Sequence, residues 1–311
     1  MQKGMVNGMQ RVNVIVMAAV VAAIVGLWGG HALSADPTDK RPQPAAERNW
    51  QIGMTPSYSS GNFGTNTTSD FVYVSFSLRR YFRDGDVSFV IPFVSATTDG
   101  TATLVGGQPT QVKGNCFRRN GTEFKLDDPD CVALLNAGQI STQQAPRRET
   151  HSGLGDIILR GRYYLVEERD YVPMIAITGR LKLPTASDGK GLGTGALDHG
   201  YGIEMSKLIG DKWLAFLDGG YNFIGNPDGV ELQNQYWYDV GAGYYFTKNL
   251  LGSVYFEEYR ALVPGLVNIR DFFFALNYKA SAAWRFNGGV AVGLSNGAPD
   301  YVLSIGTSYR F

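Results

Sequence analysis

The alternation of apolar and polar residues along the C-terminal segment, residues 300–311, is the sequence feature that most constrains the fold of this chain. A period of two residues indicates a β-strand, and here the two faces differ in character. The apolar face of such a strand is either buried in a soluble β-sandwich or turned toward lipid in a membrane barrel. The apolar face would carry Tyr301, Leu303, Ile305, Thr307, Tyr309 and Phe311, and the opposite face Asp300, Val302, Ser304, Gly306, Ser308 and Arg310.

The N-terminal segment favours export. Two basic residues precede an uncharged apolar run from Val12 to Trp28, and small residues follow this run. This order is typical of a secretory signal peptide that is cleaved near Ala35. The alternative is a retained membrane anchor, for which the run is short. We therefore expect residues 1–35 to be a signal peptide and residues 36–49 a flexible segment.

Composition narrows the class of protein. Lys3 and Arg11 are the only charges in the expected signal peptide, so the mature chain would carry two more acidic than basic side chains. This balance offers no basic surface for nucleic acid. No later run reaches the roughly 18 apolar residues of a membrane-spanning helix. A mean hydropathy of −0.12, 39 glycines and 13% aromatic residues suit a closed barrel, although a large soluble β domain can have the same composition.

Twelve segments carry the strand pattern, and the connections between them alternate between long and short. Long loops on one rim and short turns on the other are typical of outer-membrane barrels, with the long loops extracellular. We therefore predict an all-β fold, a closed antiparallel transmembrane β-barrel of about 12 strands over residues 50–311. The predicted strands are 50–58, 70–82, 87–97, 153–166, 171–183, 200–208, 213–225, 235–246, 250–260, 270–279, 284–295 and 300–311.

Aromatic residues near the short-turn ends of the strands are interpreted as an interfacial girdle, because such residues flank the apolar band of membrane barrels. Pro92 predicts a bulge within its own strand, since proline cannot donate to the ladder. The girdle residues are Trp50, Tyr81, Phe82, Tyr163, Trp213, Phe246, Trp284, Phe286, Tyr309 and Phe311.

The connection over residues 99–151 is predicted to be a long extracellular loop. It holds Cys116 and Cys131, the two cysteines of the chain. Export to an oxidising compartment permits a disulfide between them, which would contribute about 3 kcal/mol by closing a short loop. Capping residues predict a short helix from Asp128 to Gly138.

Charged residues of both signs fall on the predicted inner faces. One interpretation is a polar constriction that selects small solutes, and the other is a salt-bridge network that stiffens a filled barrel. Glu257 and Glu258 are adjacent, so both cannot point inward. The candidate pore-lining residues are Arg79, Asp156, Arg160, Arg162, Arg180, Lys182, Glu204, Asp218, Asp239, Lys279, Arg285 and Arg310.

Catalytic and cofactor signatures are weak, and we expect no enzyme, no cofactor and no metal site. The Gly191-Leu192-Gly193 run lacks the lysine and hydroxyl of a phosphate-binding loop. A lipid-modifying outer-membrane enzyme is the catalytic alternative, with His151 or His199 at the outer rim. Ser152 cannot pair with its neighbour His151 in a regular strand, because adjacent side chains point to opposite faces.

Four segments carry a resemblance to a known family when they are taken together. The segments are Val90-Ile91-Pro92-Phe93, Ser152-Gly153-Leu154-Gly155-Asp156-Ile157, Leu181-Lys182-Leu183-Pro184-Thr185 with Gly191-Leu192-Gly193-Thr194-Gly195, and Pro299-Asp300 with Arg310-Phe311. In this order they resemble the outer-membrane barrel family named for the meta-pathway of phenol degradation. The resemblance covers residues 50–311 and implies a barrel that passes small solutes, including hydrophobic or aromatic ones. The cysteine-bearing insertion departs from the plainer loops of that family.

These observations predict a passive channel in the outer membrane of a Gram-negative bacterium. A closed structural or surface-interaction barrel that acts through its long loop is the alternative. The expected partners are membrane lipid, lipopolysaccharide, a small-molecule solute and the barrel-assembly machinery, which would recognise the C-terminal strand. Nucleic acid is not expected, and the sequence leaves the oligomeric state open.

Overall fold

The computed structural model describes residues 48–64, 67–100, 102–111, 148–226 and 232–311, together with the backbone of residues 115–117 and 123–125. The strands in these residues are β1 (Trp50–Gly61), β2 (Ser69–Phe82), β3 (Gly85–Thr98), β4 (Ala102–Val105), β5 (Gln108–Gln111), β6 (Asn115–Phe117), β7 (Glu123–Lys125), β8 (Glu149–Leu154), β9 (Ile157–Val166), β10 (Met174–Leu183), β11 (Asp198–Ile209), β12 (Trp213–Phe223), β13 (Gln235–Thr247), β14 (Leu250–Tyr259), β15 (Ile269–Lys279), β16 (Trp284–Gly293) and β17 (Tyr301–Arg310).

Twelve antiparallel strands close into a barrel, which confirms the predicted fold class. β8 and β9 follow one another along the same edge of β3 and form one interrupted strand of the wall. β4 with β5 and β6 with β7 form two separate hairpins. The last strand returns to the first, with Gln51 opposite Arg310. Trp50 and Phe311 complete the closure with two backbone hydrogen bonds of 2.9 and 2.8 Å.

The outer surface of the wall is apolar. On β2 the side chains of Val72, Phe76 and Leu78 are exposed, whereas the alternate residues Tyr73 and Arg79 are buried in the interior. The same alternation continues around the barrel. Soluble monomers rarely expose apolar patches beyond a few hundred Å², so this belt suits contact with lipid. Within the described residues, no helix is both long enough and apolar enough to cross a membrane.

The aromatic girdle lies on the outer surface except at one position. Phe82, Trp213 and Trp284 are exposed near the short-turn rim, as predicted. The prediction is wrong for Tyr81, because the alternation of β2 turns it inward where its neighbour Phe82 points outward. The Tyr81 ring lies under the guanidinium of Arg310, 4.0 Å from the ring centroid.

A bulge interrupts the wall opposite Pro92. The predicted bulge in the strand of Pro92 is displaced to the facing chain, where Gly155 and Asp156 separate β8 from β9. The pairing of Val90 with Ile158 and of Phe93 with Leu154 shows the one-residue shift in register. A one-residue shift exchanges the faces of a strand. Asp156 therefore points inward while Leu154 remains exposed to the outside.

The connections alternate in length, as predicted. The turns at 83–84 and 248–249 are short, and the opposite rim carries longer loops such as 184–197 and 260–268. β11 begins at Asp198, two residues earlier than predicted. The predicted helix from Asp128 to Gly138 lies outside the described residues. Cys131 and the side chain of Cys116 do as well, so the disulfide stays a prediction.

Candidate functional site

All twelve candidate lining residues lie on strand faces that turn toward the interior. Lys279 shares its face with its cross-strand partner Arg285, but it is exposed because β15 ends there at the short-turn rim. Whether these residues line a solute path stays a prediction. The eleven that are buried or half-buried are Arg79, Asp156, Arg160, Arg162, Arg180, Lys182, Glu204, Asp218, Asp239, Arg285 and Arg310.

A buried ion-pair network lies near the short-turn rim. Arg79 holds Asp86 with two hydrogen bonds of 2.8 Å. Arg162 lies 2.9 Å from Glu204 and 3.9 Å from Asp86. Asp86 was absent from the predicted lining because it was assigned to the turn before β3. Buried charges require partners, and this network supplies them for both arginines.

A second buried network joins two of the four segments that resemble the family, the one around Asp156 and the one around Lys182. Lys182 is fully buried, and its Nζ lies 2.7 Å from Asp198 Oδ2 and 3.4 Å from Asp156 Oδ2. It also donates to Thr194 Oγ1 at 2.7 Å. A Cβ at Gly193 would lie 2.7 Å from Asp156 Oδ2, which explains the glycine at this position. The network fixes the 184–197 loop against the bulge of the wall.

Thr185 completes this attachment. Its hydroxyl donates to the carbonyl of Gly155 at 3.0 Å and accepts from the backbone N–H of Ile157 at 2.9 Å. Asp156 Oδ1 accepts from the backbone N–H of Ala186 at 3.0 Å. The loop therefore replaces the ladder bonds that the bulge leaves unmade.

Carboxylates form a continuous row on the opposite wall. Glu204, Asp218, Asp239, Glu257 and Asp271 are direct cross-strand partners on five successive strands, β11 to β15. All five are buried. Asp271 and Glu257 were not among the predicted lining residues. Glu257 belonged to the adjacent pair whose faces the sequence left open.

Glu258 is the outward member of that pair. Its Oε2 accepts from Arg270 Nε at 2.8 Å and from the Tyr238 hydroxyl at 3.1 Å. Its Oε1 accepts from the side chain of Asn268 at 2.7 Å. These partners at the long-loop end of β14 and β15 stabilise a carboxylate on the outer face.

An apolar cluster fills part of the interior. It packs inward-facing side chains of β12 to β17, so this part of the barrel is occupied by protein rather than solvent. Side chains of this kind fill small barrels, whereas much larger barrels leave open channels. The members are Leu214, Phe216, Leu251, Tyr255, Phe273, Ala291 and Val302.

The β4–β5 hairpin folds into the barrel from the long-loop end. All eight of its strand residues are buried. Leu104 packs in a cluster with Phe71 and Tyr73 of the wall. The carbonyl of Gly106 accepts a hydrogen bond of 2.9 Å from Arg180 Nη2. The first part of the long connection is therefore an inward plug, a placement that the sequence did not predict.

A polar track remains along the wall formed by β2, β3, β9 and β10. Its side chains point inward but are only partly buried, in contrast to the carboxylates of the opposite wall. At the long-loop end, a small crevice lies between the plug and the loops after β14 and β16, lined in part by Phe63, Gln111, Leu262 and Ile269. The track consists of Ser75, Ser77, Ser88, Arg160, Thr178 and Arg180.

Within the residues that the structure describes, neither histidine of the catalytic alternative forms a dyad with serine. His199 faces outward and stacks on Phe223 with ring centroids 4.9 Å apart. His151 lies 3.4 Å from Glu149. Ser152 makes a hydrogen bond of 2.7 Å with Ser95. These contacts give neither histidine the geometry of a general base for a nucleophile.

The solved structures most informative for the fold are outer-membrane barrels. An outer membrane channel from Pseudomonas putida F1 superposes with a TM-score of 0.60 at 14% identity, covering 89% of this chain and 100% of that chain. The KdgM porin gives a TM-score of 0.44 at 11% identity, with coverages of 84% and 99%. The toluene transporter TodX of P. putida gives 0.39 at 9%, with coverages of 87% and 91%.

At 14% identity, the similarity to the first structure shows that the two proteins share a fold. The TM-scores of the other two structures are below 0.5. The barrel and this likeness point to a bacterial outer-membrane protein. No curated protein matches the chain. A protein-family model matches residues 55–311, which span the barrel and include the motifs around Lys182. The chain therefore belongs to the family described as "Putative MetA-pathway of phenol degradation".

Proposed function

We propose that this protein is a passive outer-membrane channel for small solutes, including hydrophobic or aromatic ones. The observation that carries the proposal is the polar track, a partly buried strip inside an otherwise filled barrel. A barrel that served only as a scaffold would have no need for partly buried arginines in its interior. Flux would follow the solute gradient, and the likeness to an outer membrane channel supports this role.

The route begins in the crevice at the long-loop end. Its lining is mainly apolar and includes the buried side chains of Phe63, Leu262 and Ile269. The route continues past the plug to Arg180 and the track below it. An apolar entrance above a polar strip suits a molecule that has an apolar body and one polar group.

The proposal also concerns location and contacts. The exposed apolar belt would contact membrane lipid, and the long-loop end would face lipopolysaccharide, as in barrels with long extracellular loops. Export through a signal peptide cleaved near Ala35 and insertion by the barrel-assembly machinery remain part of the proposal.

Liposome swelling and planar-bilayer recording on purified protein test the channel. We expect measurable flux of small solutes in the wild type. A variant in which residues 102–111 are replaced by a short Gly-Ser linker should show faster flux and larger conductance, because the plug narrows the interior. Correct folding of both proteins is checked by heat-modifiable migration in gels. The absence of both flux and conductance in both proteins would reject the channel.

A closed barrel that acts through its long loop is the second candidate. The filled interior favours it, since the cluster around Phe273 and the plug together occupy much of the barrel. In that case the linker variant would lose binding to its surface partner, whereas permeability would be zero before and after the replacement. The same pair of proteins therefore separates the two functions.

A further inference from the structure

We propose that Arg160 and Arg180 form a binding site for a small organic carboxylate in the interior of the barrel. This inference rests on the proposed channel function and names a class of solute for it. The two arginines are direct cross-strand partners on β9 and β10, and both point inward. Like charges directly opposite each other repel. An anion between them would relieve this repulsion.

Arg180 forms no ion pair with a carboxylate within the part of the chain that the structure describes. Its Nη2 donates to the carbonyl of Gly106, which is a neutral acceptor. Its buried Nε has no hydrogen-bond partner among the described residues. Asp156 and Asp198 attract Arg180 only at longer range, and both form ion pairs with Lys182.

The other interior arginines on this side show the contrast. Arg79 has a bidentate contact with Asp86, and Arg162 pairs with Glu204. Both of these arginines are therefore in buried ion pairs with carboxylates. Arg180 is also an interior arginine of this wall, but its only hydrogen-bonded partner in the described residues is the backbone carbonyl of Gly106.

Exposure also separates the arginine pair from the other interior charges. Arg160 and Arg180 are partly buried, whereas the five carboxylates of the opposite row are buried. A solute on the polar track would therefore meet these two guanidinium groups. Ser88, the cross-strand partner of Arg160, and Thr178 add hydroxyl donors on the same strip.

Aromatic rings supply the apolar part of the site. The Tyr73 ring lies beside the turn of the plug that Arg180 holds, since a Cβ at Gly107 would lie 3.1 Å from this ring and the neighbouring Gly106 accepts from Arg180. Tyr259, also buried in the interior, stacks on Trp237 with ring centroids 6.4 Å apart. Guanidinium groups bind carboxylates in a bidentate manner and also stack on aromatic planes. The site therefore fits a carboxylate on an aromatic or short aliphatic body, and benzoate is a suitable probe.

Planar-bilayer recording with benzoate tests the inference. We expect benzoate to block the wild-type current, while benzyl alcohol, which lacks the charge, blocks it far less. In Arg160→Gln and Arg180→Gln the half-blocking concentration of benzoate should rise by about tenfold or more, as expected for loss of a charge-assisted contact. Anion selectivity in a salt gradient should fall in the same variants.

Two control variants separate charge from structure. Arg83→Gln removes a charge from the exposed short turn and should leave block and selectivity unchanged. Arg180→Lys retains the charge, so selectivity should persist even if the contact with Gly106 weakens. Equal block by benzoate and benzyl alcohol would overturn the inference. So would block that is insensitive to both glutamine substitutions.

The failure of the inference can be distinguished from the failure of the channel. A conducting protein without benzoate-specific block keeps the channel and overturns the carboxylate site. If no variant conducts, the channel fails, and calorimetric titration of benzoate into detergent-solubilised protein decides the site. Binding that weakens in Arg180→Gln and not in Arg83→Gln would support the site, and equal or absent binding would overturn it.

Discussion

Lys182 Nζ lies 2.7 Å from Asp198 Oδ2 in the interior of the barrel, and Lys182 has no exposed surface. This contact joins β10 to the first residue of β11, and the loop between the two strands is tied to the same lysine through Thr194. One side chain therefore fixes both ends of a long connection. Two of the four family-like segments meet at this side chain.

Replacing Lys182 by methionine should destabilise the barrel strongly. Asp156 and Asp198 would then remain buried without a cation, and breaking a buried pair by removing one partner costs about 3–5 kcal/mol. Denaturant titration in detergent, followed by intrinsic fluorescence, measures this change. Lys190→Met is the matched control, because Lys190 is exposed in the same loop. A loss below about 1 kcal/mol would show that the network contributes little.

The strand pattern and the faces of the strands were predictable from the sequence, because both depend on alternation within single segments. The contacts of the interior were not. Asp198 reaches Lys182 only because β10 and β11 pair in one particular register. Register depends on pairing along the whole wall, and no single segment carries that information.

Neither the position of the bulge nor the inward direction of the plug could be predicted from the sequence, for related reasons. Pro92 indicated an irregularity, but the extra residue lies in the facing strand, where Gly155 gives the space. A Cβ at Gly155 would lie 2.8 Å from Val94 and 2.9 Å from Pro92. The β4–β5 hairpin has strand residues, yet nothing local distinguishes a hairpin that folds inward from one that extends outward.

The exposed apolar belt predicts that an arginine substitution will have opposite effects on barrel assembly at two adjacent positions of β2. Phe76→Arg places a charge in lipid near the middle of β2, which costs about 2–4 kcal/mol at the bilayer midplane. Ser75→Arg places it on the polar track, which is already basic and partly exposed. We expect Phe76→Arg to assemble poorly in lipid vesicles and Ser75→Arg to assemble well. Equal assembly of the two variants would contradict the assignment of the faces.

The predicted disulfide is open to a direct measurement. Peptide mapping of protein purified without reductant should recover Cys116 and Cys131 in one linked pair. A double serine variant should lose about 3 kcal/mol of stability if the loop-closure account applies. Two unlinked thiols in protein exported to an oxidising compartment would reject the prediction.

Gly106 gives the sharpest test of the plug. An added Cβ there would overlap Arg180 Nη2, so either the guanidinium or the hairpin must shift. Gly106→Ala should therefore displace the hairpin or the guanidinium and raise single-channel conductance. Gly100→Ala is the control, since both glycines have a positive φ (+60 and +88) but only Gly106 meets another atom within 4 Å.

The comparison isolates steric displacement because both variants bear the same kind of backbone strain, about 1 kcal/mol or more for alanine at a positive φ. If conductance rises in Gly106→Ala alone, the β4–β5 hairpin limits flux and its contact with Arg180 holds it in place. If both variants conduct like the wild type, the hairpin lies beside the solute path rather than across it. The path would then run along β2 and β3, through Ser75 and Ser88, without passing beneath the plug.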